Sequence, residues 1–355
     1  LLHGLMLAVL GVVVGTALGL AVVVNLEGFM SGIESLFGWT LFDPDVYYIG
    51  GLPTKILATD LVAVVLGAVL LSIIAATYPA IVSDKEAGVI LDHAHAAGVD
   101  TLDTAPGYGK SEEVLGELGA AERFRIVTKT PQFRVPRLTE KEGDAVQRSL
   151  DASLARLKTT RVKGLLVHLT DDLLGPGGDH LYEAMSTAKA DGRVERIGVS
   201  VYDPPEAEAV LDRYAIDFMQ IPLNVLDQRF LKSGVLAKCT ARGIAVHNRS
   251  ALLQGLLVME PGQVPARLKA AQRPVAAFHA AARAAGAIPI QACLDFVFGI
   301  PQLEGVLCGV ASVRDFDELA AIAARAHKST MDFAPLAVDD PAVIDPRCWP
   351  AAGAA

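Results

Sequence analysis

The amino-acid sequence predicts an α/β protein: a (β/α)8 TIM-type barrel lacking its first strand, preceded by two transmembrane α-helices. Three observations lead there. The chain has 355 residues with 31 basic and 40 acidic side chains, yet residues 1–80 hold one basic residue, Lys55, and five acidic ones, so the composition breaks near residue 80. Two stretches of that first part, 1–26 and 61–82, carry no charge. From residue 83 onward short strand-like runs alternate with helix-like stretches, the pattern of a parallel sheet covered by helices.

The totals exclude other classes. At 52% hydrophobic residues the chain is too apolar to be disordered. A formal net charge of −9 leaves no cationic surplus for phosphates, so nucleic acid is not an expected partner. The mean hydropathy of +0.39 is high for an ordinary soluble chain, and the excess sits in the first 80 residues.

A membrane-spanning helix needs about 20 apolar residues, and both uncharged runs reach that length. A buried core helix is usually shorter and amphipathic. A secretory signal fits poorly, because there is no basic leading region and the run exceeds the usual apolar core of about 7–15 residues. In the first run Gly11, Gly15 and Gly19 recur on one helix face, where a partner transmembrane helix can approach closely. That partner is the second run or another subunit. The loop 27–60 has a net charge of −4 and contains Trp39, Tyr47 and Tyr48. Lacking positive residues, it reads as external, which places both chain ends in the cytoplasm.

The pattern GLMLAVLGVVVGTALGLAVVVNL, then LFGWTLFDPDVYYIGGLPTKI, then a second span ending AATYPA, resembles the last two transmembrane helices of the permease of lipoprotein-releasing ABC transporters. The resemblance covers about residues 1–80, and the DPDVYYI…LP element is its specific part. The family's earlier spans, periplasmic domain and short basic tail after YPA are missing. The resemblance therefore implies a membrane fragment without a coupling surface for its ATPase.

Beyond residue 83 the helical spacing of 84–97 leads into an apolar run at 99–102. Further strand-like runs follow at 124–128, 162–168, 196–200, 218–221, 244–247 and 305–308. Helix-like stretches at 111–118, 143–157, 179–190, 205–214, 230–240, 275–298 and 314–326 separate or follow them. Seven strands in this alternation suggest a barrel of the (β/α)8 type. A doubly wound sheet is the alternative, but no G-x-G-x-x-G follows an early strand. The domains are thus a two-span membrane segment at 1–82, a barrel at 83–334 and a tail at 335–355. The tail, rich in Pro, Ala and Asp, reads as extended and partly disordered.

In such a barrel chemistry collects at the C-terminal strand ends. Asp103 and Tyr108 follow the first strand, Lys129 ends the second and His168 ends the third. Alone, Asp103 reads as a helix cap, Lys129 as a surface charge and His168 as a core histidine; successive strand ends bring all four to one rim. A phenol titrates near 10, and a neighbouring ammonium is expected to lower that value. A carboxylate would hold the ammonium, and an imidazole would hydrogen-bond a substrate oxygen as charge develops there. These are groups for protonating a carbonyl while a cofactor supplies hydride.

The segments AGVDTLDTAPGYGKSEEVLG, VTKT, LLVH, RIGVSVY, MQIPLNVLDQRF and RSALLQGLL resemble the aldo-keto reductase family, in order, over about residues 83–325. The resemblance implies a metal-free barrel enzyme that reduces an aldehyde or ketone with NADPH, or alternatively NADH. By position it makes Tyr108 the general acid/base, tuned by Lys129 and Asp103, with His168 orienting the carbonyl. It assigns Ser200 and Gln220 to the nicotinamide carboxamide, Arg249 to the nicotinamide face, and Ser250 and Leu252 to the pyrophosphate loop. Gly309, Val310, Ser312 and Glu318 fall in the adenosine-phosphate segment.

Three departures stand out. Val201 replaces a frequent asparagine. Gly309 and Asp315 replace the lysine and arginine of NADPH-selective members, leaving Arg314 to hold a 2′-phosphate. The family's first strand is absent, because the helix at 84–97 follows the membrane run directly. The gap destabilises the catalytic domain unless a neighbouring segment or subunit closes it. Two further readings remain: a transport component with an incidental reductase portion, or pieces of two unrelated proteins joined near residue 80. The missing initiating Met accords with the latter.

Cys239, Cys293, Cys308 and Cys348 form no C-x-x-C pair and read as structural thiols, with Cys308 inside a strand. His93, His95, His180 and His279 lie on helical stretches and read as exposed or locally packed.

Overall fold

A computed structural model describes residues 82–325 and 329–350, all within the second of the chain's two compact units. The spans expected at 1–26 and 61–82, with Gly11, Gly15 and Gly19, lie outside the described residues apart from Val82. Among the described residues no single helix is long and apolar enough to cross a membrane.

Seven strands form one parallel sheet in chain order: β1 (Thr101–Asp103), β2 (Arg125–Lys129), β3 (Val162–Val167), β4 (Val194–Ser200), β5 (Phe218–Pro222), β6 (Ala245–Arg249) and β7 (Gly305–Val306). Helices link them, and the sequence marks their starts. In α1 (Asp84–Ala96) the Ser83 hydroxyl accepts from the Glu86 amide, and Asp84 and Glu86 favour the positive end of the helix dipole. A second helix, α2 (Glu140–Arg156), opens on a reciprocal capping box between Thr139 and Glu142. A third, α3 (Pro204–Arg213), has Asp203 as its cap and proline in its first turn.

Side chains alternate across a strand. Val127, Leu166 and Phe218 therefore turn to the inside of the sheet as a small separate core. Ile126, Leu165, Val167 and Met219 face the helices in the main one. Phe218 fills the interior only because two neighbours lack a side chain. A Cβ on Gly164 would lie 2.6 Å from its ring, and one on Gly198 would lie 2.2 Å from its carbonyl oxygen. The inward positions one step further along are 129, 168, 200, 220 and 247, with Arg249 the next inward position beyond His247. The packing below thus fixes which residues reach the rim.

The sheet begins at β1 and ends at β7, with no pairing between them. Both outer strands are half-buried along their length, whereas the interior strands hold mostly buried residues. Outside the gap α1 packs against α4 (Val313–Ala323), and His93 Nδ1 lies 2.7 Å from Asp317 Oδ1. The helical layer closes where the strand layer does not. The described residues thus supply seven of the eight strands, as the sequence led one to expect.

Three expectations need correction. The helix expected at 275–298 is two, Lys269–Ala284 and Pro289–Phe298, at 87° to each other. Gly286 takes a φ of +70° between them, and Pro289, which lacks an amide donor, opens the second. The last strand stops at Val306, so Cys308 is exposed rather than inside a strand. The tail is not a loose end: its described part forms short helical turns at Ala334–Leu336, Pro341–Ile344 and Pro346–Cys348. Val343 and Ile344 are buried in the main core, which gives the segment apolar anchorage that its Pro and Asp content concealed.

Candidate active site

Asp103, Lys129, His168, Ser200 and Gln220 meet at the C-terminal rim, with Tyr108 on the turn that follows β1. Thr104 and Ala105 bury the start of that turn, and the Tyr108 amide donates to the Ala105 carbonyl at 3.0 Å, which brings the phenol back over the rim. The Lys129 ammonium is buried, paired with Asp103 Oδ1, and donates to the Thr104 carbonyl at 2.9 Å. It also lies 5.0 Å from the centre of the Tyr108 ring. The Tyr108 and His168 rings meet edge to face at 5.8 Å, with Tyr108 half exposed. All four residues assigned to catalysis therefore gather at one place.

The electrostatics depart from expectation at one point. The Tyr108 phenol titrates above its ordinary value, because burial and then the Asp103 carboxylate oppose the phenolate, while Arg249 pulls only weakly the other way. The ammonium of Lys129 is engaged by Asp103, and burial nonetheless pushes its own pKa down. His168 is also pushed down, by burial first and the Lys129 charge second, and so favours the neutral imidazole. The rim is thus set as a protonated phenol beside a neutral imidazole.

Of the residues assigned to a nicotinamide cofactor, Ser200 and Gln220 sit side by side on β4 and β5, with Ser200 Oγ donating to Gln220 Oε1 at 3.3 Å. Gln220 Nε2 donates in turn to Asp103 Oδ2 at 3.0 Å, joining the two sets of residues. Arg249 reaches across the end of β5 toward β4: its Nη2 donates to the Val201 carbonyl at 2.9 Å, while its Nε is buried without a partner. In the following loop Ser250, Leu253 and Gln254 all take positive φ, unusual for residues with a Cβ. Among the described residues the Ala251, Leu252 and Gln254 amides find no acceptor there. The orphaned guanidinium nitrogen and the free amides fit a planar amide-bearing ring and an anionic linker, as a dinucleotide would supply.

The third group, Gly309, Val310, Ser312, Arg314 and Glu318, follows the C-terminal end of β7 and runs into α4. Ser312 caps the helix by accepting from the Asp315 amide at 3.1 Å. The Asp315 carboxylate turns back onto the Ala311 amide at 3.3 Å. Arg314 and Glu318 are exposed one turn apart.

Sequence reasoning gave no role to Tyr202 or to the tail. The Arg249 guanidinium lies 4.3 Å from the centre of the Tyr202 ring, and the Arg347 guanidinium lies 3.8 Å from it. Arg347 is held by Asp345 at 2.7 Å and Glu206 at 3.3 Å, and Glu206 also accepts from the Tyr202 amide at 2.7 Å. Tyr202 already ended the RIGVSVY motif, whereas nothing in the tail's composition pointed to Arg347.

Parallel strands in chain order with this rim define a β/α barrel of the reductase class. The Aldo/keto reductase family profile matches residues 64–337, and the chain belongs to that family. The match begins within the apolar run 61–82, upstream of the residues over which the motifs were read. The chain is 28% identical over 202 residues to the NADH-specific methylglyoxal reductase of Escherichia coli (strain K12), covering 50% of this chain and 61% of that protein. With norsolorinic acid reductase B of Aspergillus parasiticus it shares 30% identity over 200 residues, 51% of this chain and 52% of that protein. A separate likeness joins its N-terminal part to the lipoprotein-releasing system transmembrane protein LolC of Xylella fastidiosa (strain 9a5c), 40% identical over 80 residues, 22% of this chain and 19% of that protein. The chain thus spans about three-fifths or less of these relatives. In fold it resembles aldo-keto reductase AKR11C1 from Bacillus halodurans in its holo form, with a TM-score of 0.60 at 18% identity over 76% of this chain and 92% of that one.

Proposed function

We propose that the chain reduces an aldehyde or ketone to an alcohol with NADH or NADPH. The convergence of Tyr108, Lys129, Asp103 and His168 at one rim carries this reading. The cofactor, when bound, supplies a hydride to the carbonyl carbon. The carbonyl oxygen rests against the Tyr108 hydroxyl and the His168 ring. Tyr108 gives its proton to that oxygen, and its raised pKa keeps the proton available at neutral pH. His168 donates a hydrogen bond as a neutral imidazole. Asp103 holds Lys129, so that the buried ammonium faces the tyrosine as its charge changes. Ser200, Gln220 and Arg249 would hold the nicotinamide, and the 250–254 loop with its free amides would receive the anionic linker.

NADPH was the expected cofactor, with NADH as the alternative. The Asp315 carboxylate at the start of α4 favours NADH, because in the segment that the family resemblance assigns to the adenosine phosphate it would repel a 2′-phosphate, with only Arg314 to oppose it. The NADH-specific relative from Escherichia coli accords with this.

The test is oxidation of each reduced cofactor with a simple aldehyde, accompanied by fluorescence titration of cofactor binding. Activity abolished by Tyr108→Phe supports the reading; no cofactor binding would sink it.

A second reading rests on the 40% identity with LolC. Under it the first 82 residues anchor the chain in a membrane through 1–26 and 61–82, with the reductase portion on the cytoplasmic side. Gly11, Gly15 and Gly19 then face a partner helix, and copurification with an ATPase subunit would favour a transport role.

A further inference from the structure

The loop after β2 and the loop after β3 are stitched together. His168 donates its amide to Thr130 Oγ1 at 3.2 Å. A few residues on, the buried Asp172 carboxylate accepts from the Phe133 amide at 2.9 Å and from the Arg134 amide at 3.1 Å. This clamp holds Arg134 at a φ of +51°, a left-handed conformation that a residue with a Cβ rarely adopts. The side chain is fixed as well, since Nε and Nη2 both donate to Gln132 Oε1, at 3.2 and 2.8 Å. Nη1 remains free. No carboxylate pairs with Arg134 among the described residues, although it lies on the surface. Its charge reaches the His168 ring, where it adds to the downward push on that imidazole.

Charge at the rim is left unbalanced on the cationic side. Asp103 is taken by Lys129 and Gln220. Arg249 has carbonyl and hydroxyl partners but no carboxylate. A chain with a net charge of −9 thus carries, on the loop stitched to His168, an arginine with no carboxylate partner among the described residues. Holding it in an unfavourable backbone conformation has a use if a ligand needs it there.

We propose that the carbonyl compound reduced at this site carries an anionic group, a carboxylate or a phosphate, and that Arg134 binds that group beside His168. The proposal rests on the reading of Tyr108 and His168 as the carbonyl site. The planar guanidinium with its free Nη1 suits either oxyanion.

Matched substrates test it: 4-oxobutanoate against butanal, and glyceraldehyde 3-phosphate against glyceraldehyde. In at least one pair the charged member should have the higher kcat/KM by about tenfold or more, as a charge-assisted contact implies. Arg134→Gln should bring that ratio close to one, and Arg134→Lys should restore part of it. Ratios near one in the native protein, or a preference that survives Arg134→Gln, overturn the proposal. Should no aldehyde turn over, the reductase reading fails, and titration calorimetry with 4-hydroxybutanoate decides this proposal separately. Binding lost in Arg134→Gln supports it; absent or unchanged binding overturns it.

Discussion

The Lys129 ammonium faces the Tyr108 ring from 5.0 Å while it is hydrogen-bonded to Asp103 and the Thr104 carbonyl. This geometry separates two roles that the sequence had merged. Lys129 was expected to lower the phenol's pKa, but burial and then the Asp103 carboxylate raise it. Proton donation remains available, and acid-form tyrosine becomes the resting state.

A pH–rate profile for carbonyl reduction should therefore stay level from about pH 7 to pH 10 and fall only above the ordinary phenol value. Stability follows the same groups. Tyr108 has a raised pKa, so its contribution is present below pH 10 and is lost as pH rises beyond it. His168 has a depressed pKa, so its contribution is present above pH 6.5 and is lost as pH falls below that value. A basic limb below pH 9 in the reductive direction would contradict this assignment.

Removing the ammonium should be worse than removing its partner's charge. Lys129→Met leaves the Asp103 carboxylate facing an apolar side chain, and such broken buried pairs typically cost about 3–5 kcal/mol. Asp103→Asn keeps a hydrogen-bond acceptor for the ammonium. Both should reduce turnover by about 10²-fold or more, but only Lys129→Met should also lower the denaturation midpoint steeply. Urea unfolding of the two variants measures the difference.

Much of this arrangement was legible in the sequence because it depends on period. The alternation that buries Val127, Leu166 and Phe218 also places Lys129, His168 and Gln220 at the rim, and a period of two survives small errors in strand boundaries. Three-dimensional balance was not legible. Whether Lys129 acts on Tyr108 or is absorbed by Asp103 depends on ångström distances. The clamp of Asp172 on Arg134 joins residues from different loops, with no motif to mark it. The tail misled for another reason: Val343 and Ile344 are two apolar residues among prolines and aspartates, and average composition hides so short an anchor.

The sheet edges left unpaired among the described residues should be the first part of the sheet to open. Amide protection reflects local burial and hydrogen bonding, and β1 and β7 are half-buried outer strands. Their amides should exchange about 10–100-fold faster than those of β3 and β4, which pair on both sides. Hydrogen exchange read by mass spectrometry on the full chain resolves the strands. Equal protection at β1 and β3 would show that another segment or molecule covers the edge.

Arg347 ties the tail to the rim through a buried acid, and the tie can be weighed. Burial pushes the Asp345 carboxyl upward, yet the hydrogen bonds from Arg347 outweigh that and hold it below its ordinary value. Its contribution is thus present above pH 3.8 and is lost as pH falls below that value. Arg347→Ala removes the side-chain bonds to the buried carboxylate, leaving only the residue-347 amide on Oδ1, and bares the Tyr202 ring; an unsatisfied buried acceptor costs about 1–3 kcal/mol. In a domain of this size each kcal/mol lowers Tm by about 2–4 °C. Asp345→Asn in the Arg347→Ala background should recover part of the loss, because a neutral amide tolerates burial better than an unpaired charge. A double-mutant cycle at pH 7 isolates the pair. Strict additivity there would mean that Asp345 and Arg347 do not act as a pair in holding the tail.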